Sequence, residues 1–124
     1  MKIEKIKKNK EFRFIYRNGN SINDENLVVY IFKRTDGHNK LGISVSKKVG
    51  KSVTRNRVRR LIYESYRNIL KERTALKNGY SLIFIARSKS SKCTFIEIKQ
   101  SVLHLLVKVG FLKEDFLIDE NNAH

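Results

Sequence analysis

The stretch Ser44-Val45-Ser46-Lys47-Lys48-Val49-Gly50-Lys51-Ser52-Val53-Thr54-Arg55-Asn56-Arg57-Val58-Arg59-Arg60-Leu61-Ile62 constrains this chain more than any other part of it. Its first residues alternate apolar with small polar side chains, as a strand does, and Val58, Leu61 and Ile62 fall on one face of a helix. The apolar stripe continues through Ser65, Tyr66 and Ile69, which predicts a helix from about Val53 to Arg73 with one buried face. Asn56, Arg60, Arg67 and Lys71 then project away from the core, with Arg57 and Arg59 on the flanks. A solvated surface helix interleaves both charge signs in i,i+4 pairs, and Arg60–Glu64 is the one such pair for the arginines that open this helix. Lys47, Lys48 and Lys51 precede Arg55, Arg57, Arg59 and Arg60 with no acid among them. Guanidinium groups at this density suit phosphate, because each bridges two oxygens, and Asn56 can donate and accept at a sugar or base edge. Gly50 ahead of the helix adds a weaker feature, since helix N-terminal amides also bind phosphate.

The remaining segments supply a small α+β domain. Asn9 to Asn18 carries Phe12, Ile15 and Tyr16 at helical spacing, with Gly19 suited to the C′ position. Leu27 to Lys33 is β-branched and aromatic; alternation puts Val28, Tyr30 and Phe32 on one face and Val29 and Ile31 on the other. Asp36-Gly37-His38-Asn39 is turn chemistry, and it predicts an antiparallel hairpin between that strand and Leu41 to Ser46. Asn78-Gly79 ends a turn into Tyr80 to Ala86, whose nearly continuous apolar run fits a strand covered on both faces. Thr94-Phe95-Ile96-Glu97 is a capping box, opening a helix through Val109 that Gly110 closes, with Phe95, Ile98, Val102, Leu105 and Leu106 toward the core. The order is α-β-β-α-β-α, with a short extra strand near Ser21-Ile22, an α+β sandwich of helices on one small sheet. Residues 1–124 are expected to form a single RNA-binding domain, frayed at about 1–5 and 119–124.

Charge narrows the partner. A formal net charge of +15 on 124 residues repels itself in a compact state, so a polyanion is the natural complement. No segment is apolar enough to span a bilayer, the first residues lack a signal-peptide core, and the lone Cys93 fits a reducing cytoplasm as an inert thiol. His38, His104 and His124 are scattered, no Cys/His spacing suggests zinc, and no paired acid and base share an element. A membrane-surface role ranks last, because the long helices spend their apolar faces on a core. A DNA reader is disfavoured by the lack of a helix-turn-helix spacing or dimerisation heptad. A purely structural RNA-binding protein of ribosomal type is the nearest rival.

The block SVSKKVGKSVTRNRVRRLI, with its central Arg55-Asn56-Arg57, resembles the signature of the bacterial ribonuclease P protein subunit family. The likeness begins at Lys7-Lys8-Asn9-Lys10-Glu11-Phe12 and runs through Gly19, Val28-Val29-Tyr30, Leu41-Gly42-Ile43 and Ile83-Phe84-Ile85-Ala86-Arg87 into the last helix. The resemblance implies an αβββαβα sandwich on a four-stranded sheet, with a left-handed βαβ crossover through the arginine helix, against the general right-handed rule. It implies the small subunit of a ribonucleoprotein endonuclease that removes the 5′ leader of precursor tRNA. Catalytic magnesium ions would belong to the RNA subunit and substrate, and no protein side chain would be catalytic. Lys47, Lys48, Lys51, Arg55, Asn56, Arg57, Arg59 and Arg60 would seat on the catalytic RNA. Phe12, Tyr16 and Tyr30, with Arg13, Arg17 and Ser44, would line a cleft for the single-stranded leader. The partners implied are the catalytic RNA and precursor tRNA, in a cytoplasmic one-to-one complex with a protein monomer.

Overall fold

The computed structural model describes residues 2–72 and 78–112. Arg73, where the arginine helix was expected to end, and the acidic residues Glu114, Asp115, Asp119 and Glu120 lie outside the described residues, as does the stretch 119–124 expected to fray. In chain order the elements are β1 (Glu4–Lys5), α1 (Asn9–Asn18), β2 (Asn20–Asn23), β3 (Leu27–Lys33), β4 (Lys40–Ser44), α2 (Ser52–Glu72), β5 (Tyr80–Ala86), a 3-10 turn (Ser88–Lys92) and α3 (Phe95–Lys108). The α+β class and its three α-helices agree with the sequence reading. The sheet has five strands in the order β1-β4-β5-β3-β2, not four. The added strand, Glu4–Lys5, lies within the segment expected to fray, and pairs in parallel with Lys40 and Leu41.

The β3–β4 hairpin does not form. β5 lies between these two strands, antiparallel to β3 and parallel to β4. The physical reason is burial: Ser81, Leu82, Ile83 and Phe84 are all at most 1% exposed, so β5 takes the central position, where both faces are covered. The turn chemistry is real nonetheless. Gly37 sits at φ 75°, and Asp36 Oδ1 accepts from the His38 backbone N–H at 3.0 Å. The loop crosses the start of β5: the Arg34 N–H donates to the Gly79 carbonyl at 2.6 Å, and Asn39 Oδ1 accepts from the Tyr80 N–H at 2.9 Å. β4, α2 and β5 therefore form a crossover between adjacent parallel strands. β4 itself ends at Ser44, two residues before the expected Ser46, where the chain turns toward α2 with the Val49 N–H donating to the Ser46 carbonyl at 3.1 Å.

The two faces of the sheet serve different ends. Leu27, Val29, Leu82, Phe84 and Leu41 face α2 and α3 and form the main core with Val58, Ile62, Tyr66, Ile98, Val102 and Leu105. Tyr66 packs its ring 6.4 Å from that of Phe84 and 6.5 Å from that of Phe111. Ile83 faces the other way, into a smaller cluster with Ile6 and Ile15 against which Phe12, Tyr16, Tyr30, Phe32 and Ile85 pack. Gly19 ends α1 with φ −83°, so it does not use the left-handed conformation expected of a C′ glycine. A side chain is excluded there for another reason: a Cβ would stand 2.8 Å from the Ile15 carbonyl oxygen and 2.9 Å from that of Ile31.

α3 starts as the sequence predicts. Thr94 Oγ1 accepts from the Glu97 N–H at 3.2 Å, and Glu97 Oε1 accepts from the Thr94 N–H at 2.9 Å. The Thr94 backbone bond, with its hydroxyl, holds the Glu97 carboxyl below the usual glutamate range. A carboxylate with a depressed folded pKa adds stability above its ordinary pKa and loses it as pH falls through the folded value. Glu97→Ala is therefore expected to lower the urea midpoint at neutral pH. Its difference from the parent protein should vanish as pH falls below the usual glutamate range. A loss that persists in acid would come from contacts other than the ionised cap, since alanine is the better helix former.

Candidate nucleic-acid interface

The expected basic residues lie where the chain turns from β4 into α2. Lys47, Lys48 and Lys51 are exposed on the connecting loop, and Asn56, Arg57 and Arg60 are exposed on the first turns of the helix. Val58, Ile62, Ser65, Tyr66 and Ile69 are buried beneath them, so the apolar stripe fixes which way the cations point. No acid stands in the first turn of α2. Glu64, expected to pair with Arg60, instead pairs with Arg67 at 3.6 Å.

The arginines are not equivalent. Arg57 donates to the Cys93 carbonyl at 2.9 Å and to the Ser91 carbonyl at 3.4 Å, so it ties α2 to the turn before α3. Arg55 donates to Ser52 Oγ at 3.0 Å, folding back along its own helix, while its Nε is enclosed without a partner among the described residues. Arg59 donates to Asn56 Oδ1 at 2.9 Å, which orients the amide nitrogen of Asn56 away from the arginine. Arg60 is exposed and unengaged among the described residues. Among the described residues, Arg60 is thus left open, and Arg59 and Asn56 are held only by each other.

A second feature lies on the opposite face of the sheet, under α1. Register places Tyr30, Ile83 and Gly42 in one row across β3, β5 and β4, with Val28, Ile85 and Ser44 in the next. Phe12 lies over Gly42 so closely that a Cβ there would stand 2.8 Å from the ring. The missing side chain is what lets the phenyl ring settle on the sheet. Tyr16 stands edge-on to Tyr30 at 5.0 Å and 6.2 Å from Phe12. Burial raises the Tyr16 pKa, against a hydrogen bond with the Ser44 side chain that lowers it. Phe12, Tyr16, Tyr30 and Ser44 are therefore brought together, each partly exposed. Arg13 and Arg17 lie exposed on the outer side of the same helix.

The two surfaces meet at one recess of about 360 Å³. Ile6, Phe12, Leu41, Ile43 and Tyr63 make its apolar part, and Lys5, Asn56, Arg59 and Arg60 its polar part. Lys5 Nζ stands 4.6 Å above the Tyr63 ring, a cation–π contact that fixes the cation at the rim. The sequence reading did not single out Lys5 or Tyr63 as site residues. Tyr63 lies four residues after Arg59, one helical turn, which was its available signal. Among the described residues, no group of three or more His, Cys, Asp and Glu side chains is placed to hold a metal ion.

A family model described as Ribonuclease P matches residues 1–110. A "Ribonuclease P protein component" of Clostridium botulinum (strain Loch Maree / Type A3) is 54% identical over 111 residues, spanning 89% of this chain and 97% of the relative. The chain belongs to the ribonuclease P protein family. Another member, from Clostridioides difficile (strain 630), is 48% identical over 101 residues, covering 82% of this chain and 87% of that one. Among solved structures, the Staphylococcus aureus RNase P protein superposes with a TM-score of 0.79 at 34% identity, covering 90% of this chain and all of that one. The Thermotoga maritima RNase P protein gives 0.74 at 28% identity, over 85% and 96% of the two chains. The chain is thus a protein component of ribonuclease P, an endoribonuclease of tRNA processing. The likeness spans the arginine block and the α1 cleft alike.

Proposed function

We propose that this protein seats on the catalytic RNA of ribonuclease P through the loop and first turns of α2, and holds the 5′ leader of precursor tRNA in the cleft beneath α1. Lys47, Lys48, Lys51, Arg55, Asn56, Arg57, Arg59 and Arg60 form the RNA-subunit surface in this reading. Phe12, Tyr16, Tyr30 and Ser44 line the leader cleft, with Arg13 and Arg17 meeting its phosphates. The observation that carries the reading is the shared recess: Phe12 borders it from the cleft side and Asn56, Arg59 and Arg60 from the other. A strand leaving an RNA bound at α2 therefore has a continuous, positively charged path into the aromatic cleft. No protein side chain takes part in bond cleavage; magnesium ions held by the RNA and substrate supply that chemistry. The protein raises substrate affinity and offsets phosphate repulsion, acting as a monomer, one per RNA, in the cytoplasm. Among the described residues, no helix is long and apolar enough to cross a membrane.

Unpaired bases stacked on aromatic rings contribute about 1–3 kcal/mol each. Phe12→Ala is accordingly expected to weaken binding of precursor tRNA to the reconstituted holoenzyme by about tenfold, and to leave mature tRNA, which has no leader, nearly unchanged. Equal losses for both substrates would sink the leader assignment. A thermal melt of the variant separates either result from unfolding.

A further inference from the structure

We propose that the outer flank of α1, where Phe14 meets Phe32, is a second stacking site for single-stranded RNA, which takes leader nucleotides beyond those in the first cleft. The inference rests on the leader reading above.

Helix α1 crosses β3 between two aromatic rings of the same strand face. On one flank Tyr16 stands edge-on to Tyr30 at 5.0 Å; on the other Phe14 stands edge-on to Phe32 at 5.2 Å, with an interplanar angle of 89°. The first pair belongs to the cleft already described. In the second, Phe32 packs against the smaller core cluster, but Phe14 belongs to neither cluster. Phe14 is 52% exposed, and among the described residues only Val53 and Ile96 are other large hydrophobic side chains so open to water. A phenyl ring half in water gains little from the fold. It does offer a face on which a base can stack.

The surroundings favour a nucleic-acid occupant. Phe14 and Phe32 border a recess of about 390 Å³ that Lys33, Arg34 and Thr35 also line. Its two carboxylates are already engaged: Arg34 holds Glu11 at 2.8 Å and Asp36 at 2.7 Å. Lys33 is exposed at the recess, and Lys10, Arg13 and Arg17 are exposed on the ridge of α1 between the two flanks. A strand that leaves the first cleft crosses this basic ridge and reaches Phe14 on the far side. The same ridge repels a second copy of this chain, and an apolar protein partner would gain nothing from it.

The test uses holoenzyme reconstituted from the full chain and ribonuclease P RNA, with precursors whose leaders are shortened stepwise from the 5′ end. Phe14→Ala is expected to weaken binding of long-leader precursors about five- to tenfold and to leave the shortest unaffected, while Phe14→Tyr, which keeps the ring, restores affinity. Phe12→Ala, run alongside, should weaken binding at every length that reaches the first cleft. If Phe12→Ala acts and Phe14→Ala does not at any length, this proposal is overturned and the first cleft stands. If Phe12→Ala has no effect at any length, the leader reading fails and takes the second site with it. A Phe14→Ala loss that is independent of leader length also overturns the proposal. Sedimentation of the free protein then tells contact with a second copy from contact with the RNA subunit.

Discussion

Replacing Arg59 and Arg60 together with glutamine is expected to weaken binding to ribonuclease P RNA by on the order of a hundredfold at moderate salt, with little change in the folded protein. That is the lower end for the loss of two charge-assisted contacts, each contributing roughly 1.5–3 kcal/mol, since glutamine keeps a hydrogen-bond donor at each position. These two positions are chosen because of what they do not hold together. Arg60 is exposed, and among the described residues Arg59 bonds only its helix neighbour Asn56. Arg57 is a poorer probe, because its bonds to Cys93 and Ser91 anchor the turn before α3; Arg57→Gln should lower the melting temperature as well as the affinity. Salt dependence gives a second readout. Each lost phosphate contact should flatten the slope of log affinity against log salt by about 0.7 to 0.9. Titrations of the double variant at several salt concentrations check both numbers. An unchanged slope would mean that these arginines do not meet phosphates.

Phe84→Ala is expected to destabilise the protein by about 3–5 kcal/mol, the usual cost of deleting a fully buried phenyl ring. Phe84 is 0% exposed on the central strand and packs against Tyr66, so the cavity left would open at the contact between sheet and helix α2. Domains of this size are stable by only about 5–15 kcal/mol, and a net charge of +15 works against compactness at low salt. The variant should thus have little stability left in low salt and regain some when RNA is added, since a ligand that binds only the native state stabilises it. Urea unfolding with and without RNA measures both effects. A loss below about 1 kcal/mol would contradict a core centred on β5.

Local signals in the sequence proved sound where a few neighbouring residues decide the outcome. The limits of α1 follow from the spacing of Phe12, Ile15 and Tyr16, those of β3 from its β-branched run, and the start of α3 from the Thr94–Glu97 box. The mispairing of β3 with β4 has a clear cause. A turn between two strands shows that the chain reverses, but strand neighbours are set by burial across the whole sheet. The apolarity of Tyr80 to Ala86 was the available sign that β5 would take the centre. Gly19 was misread in a similar way, because the close approach of the Ile31 carbonyl comes from a residue distant in sequence. The basic face of α2 could be read from charge alone. The unequal duties of its arginines could not, since the Cys93 carbonyl that engages Arg57 is brought there only by tertiary packing. Gly42 as the bed for the Phe12 ring was likewise invisible until β4 and α1 were placed together.

In the function proposed above, this protein is the RNA-bound subunit that enables 5′ maturation of tRNA. The most direct test is single-turnover cleavage of 5′-labelled precursor tRNA by a bacterial ribonuclease P RNA at low magnesium, with and without the protein. Correctly placed cleavage is predicted to appear only with the protein and to be lost again with the Arg59→Gln/Arg60→Gln variant. Absence of rescue by folded protein, or rescue that the double variant supports equally well, would contradict it.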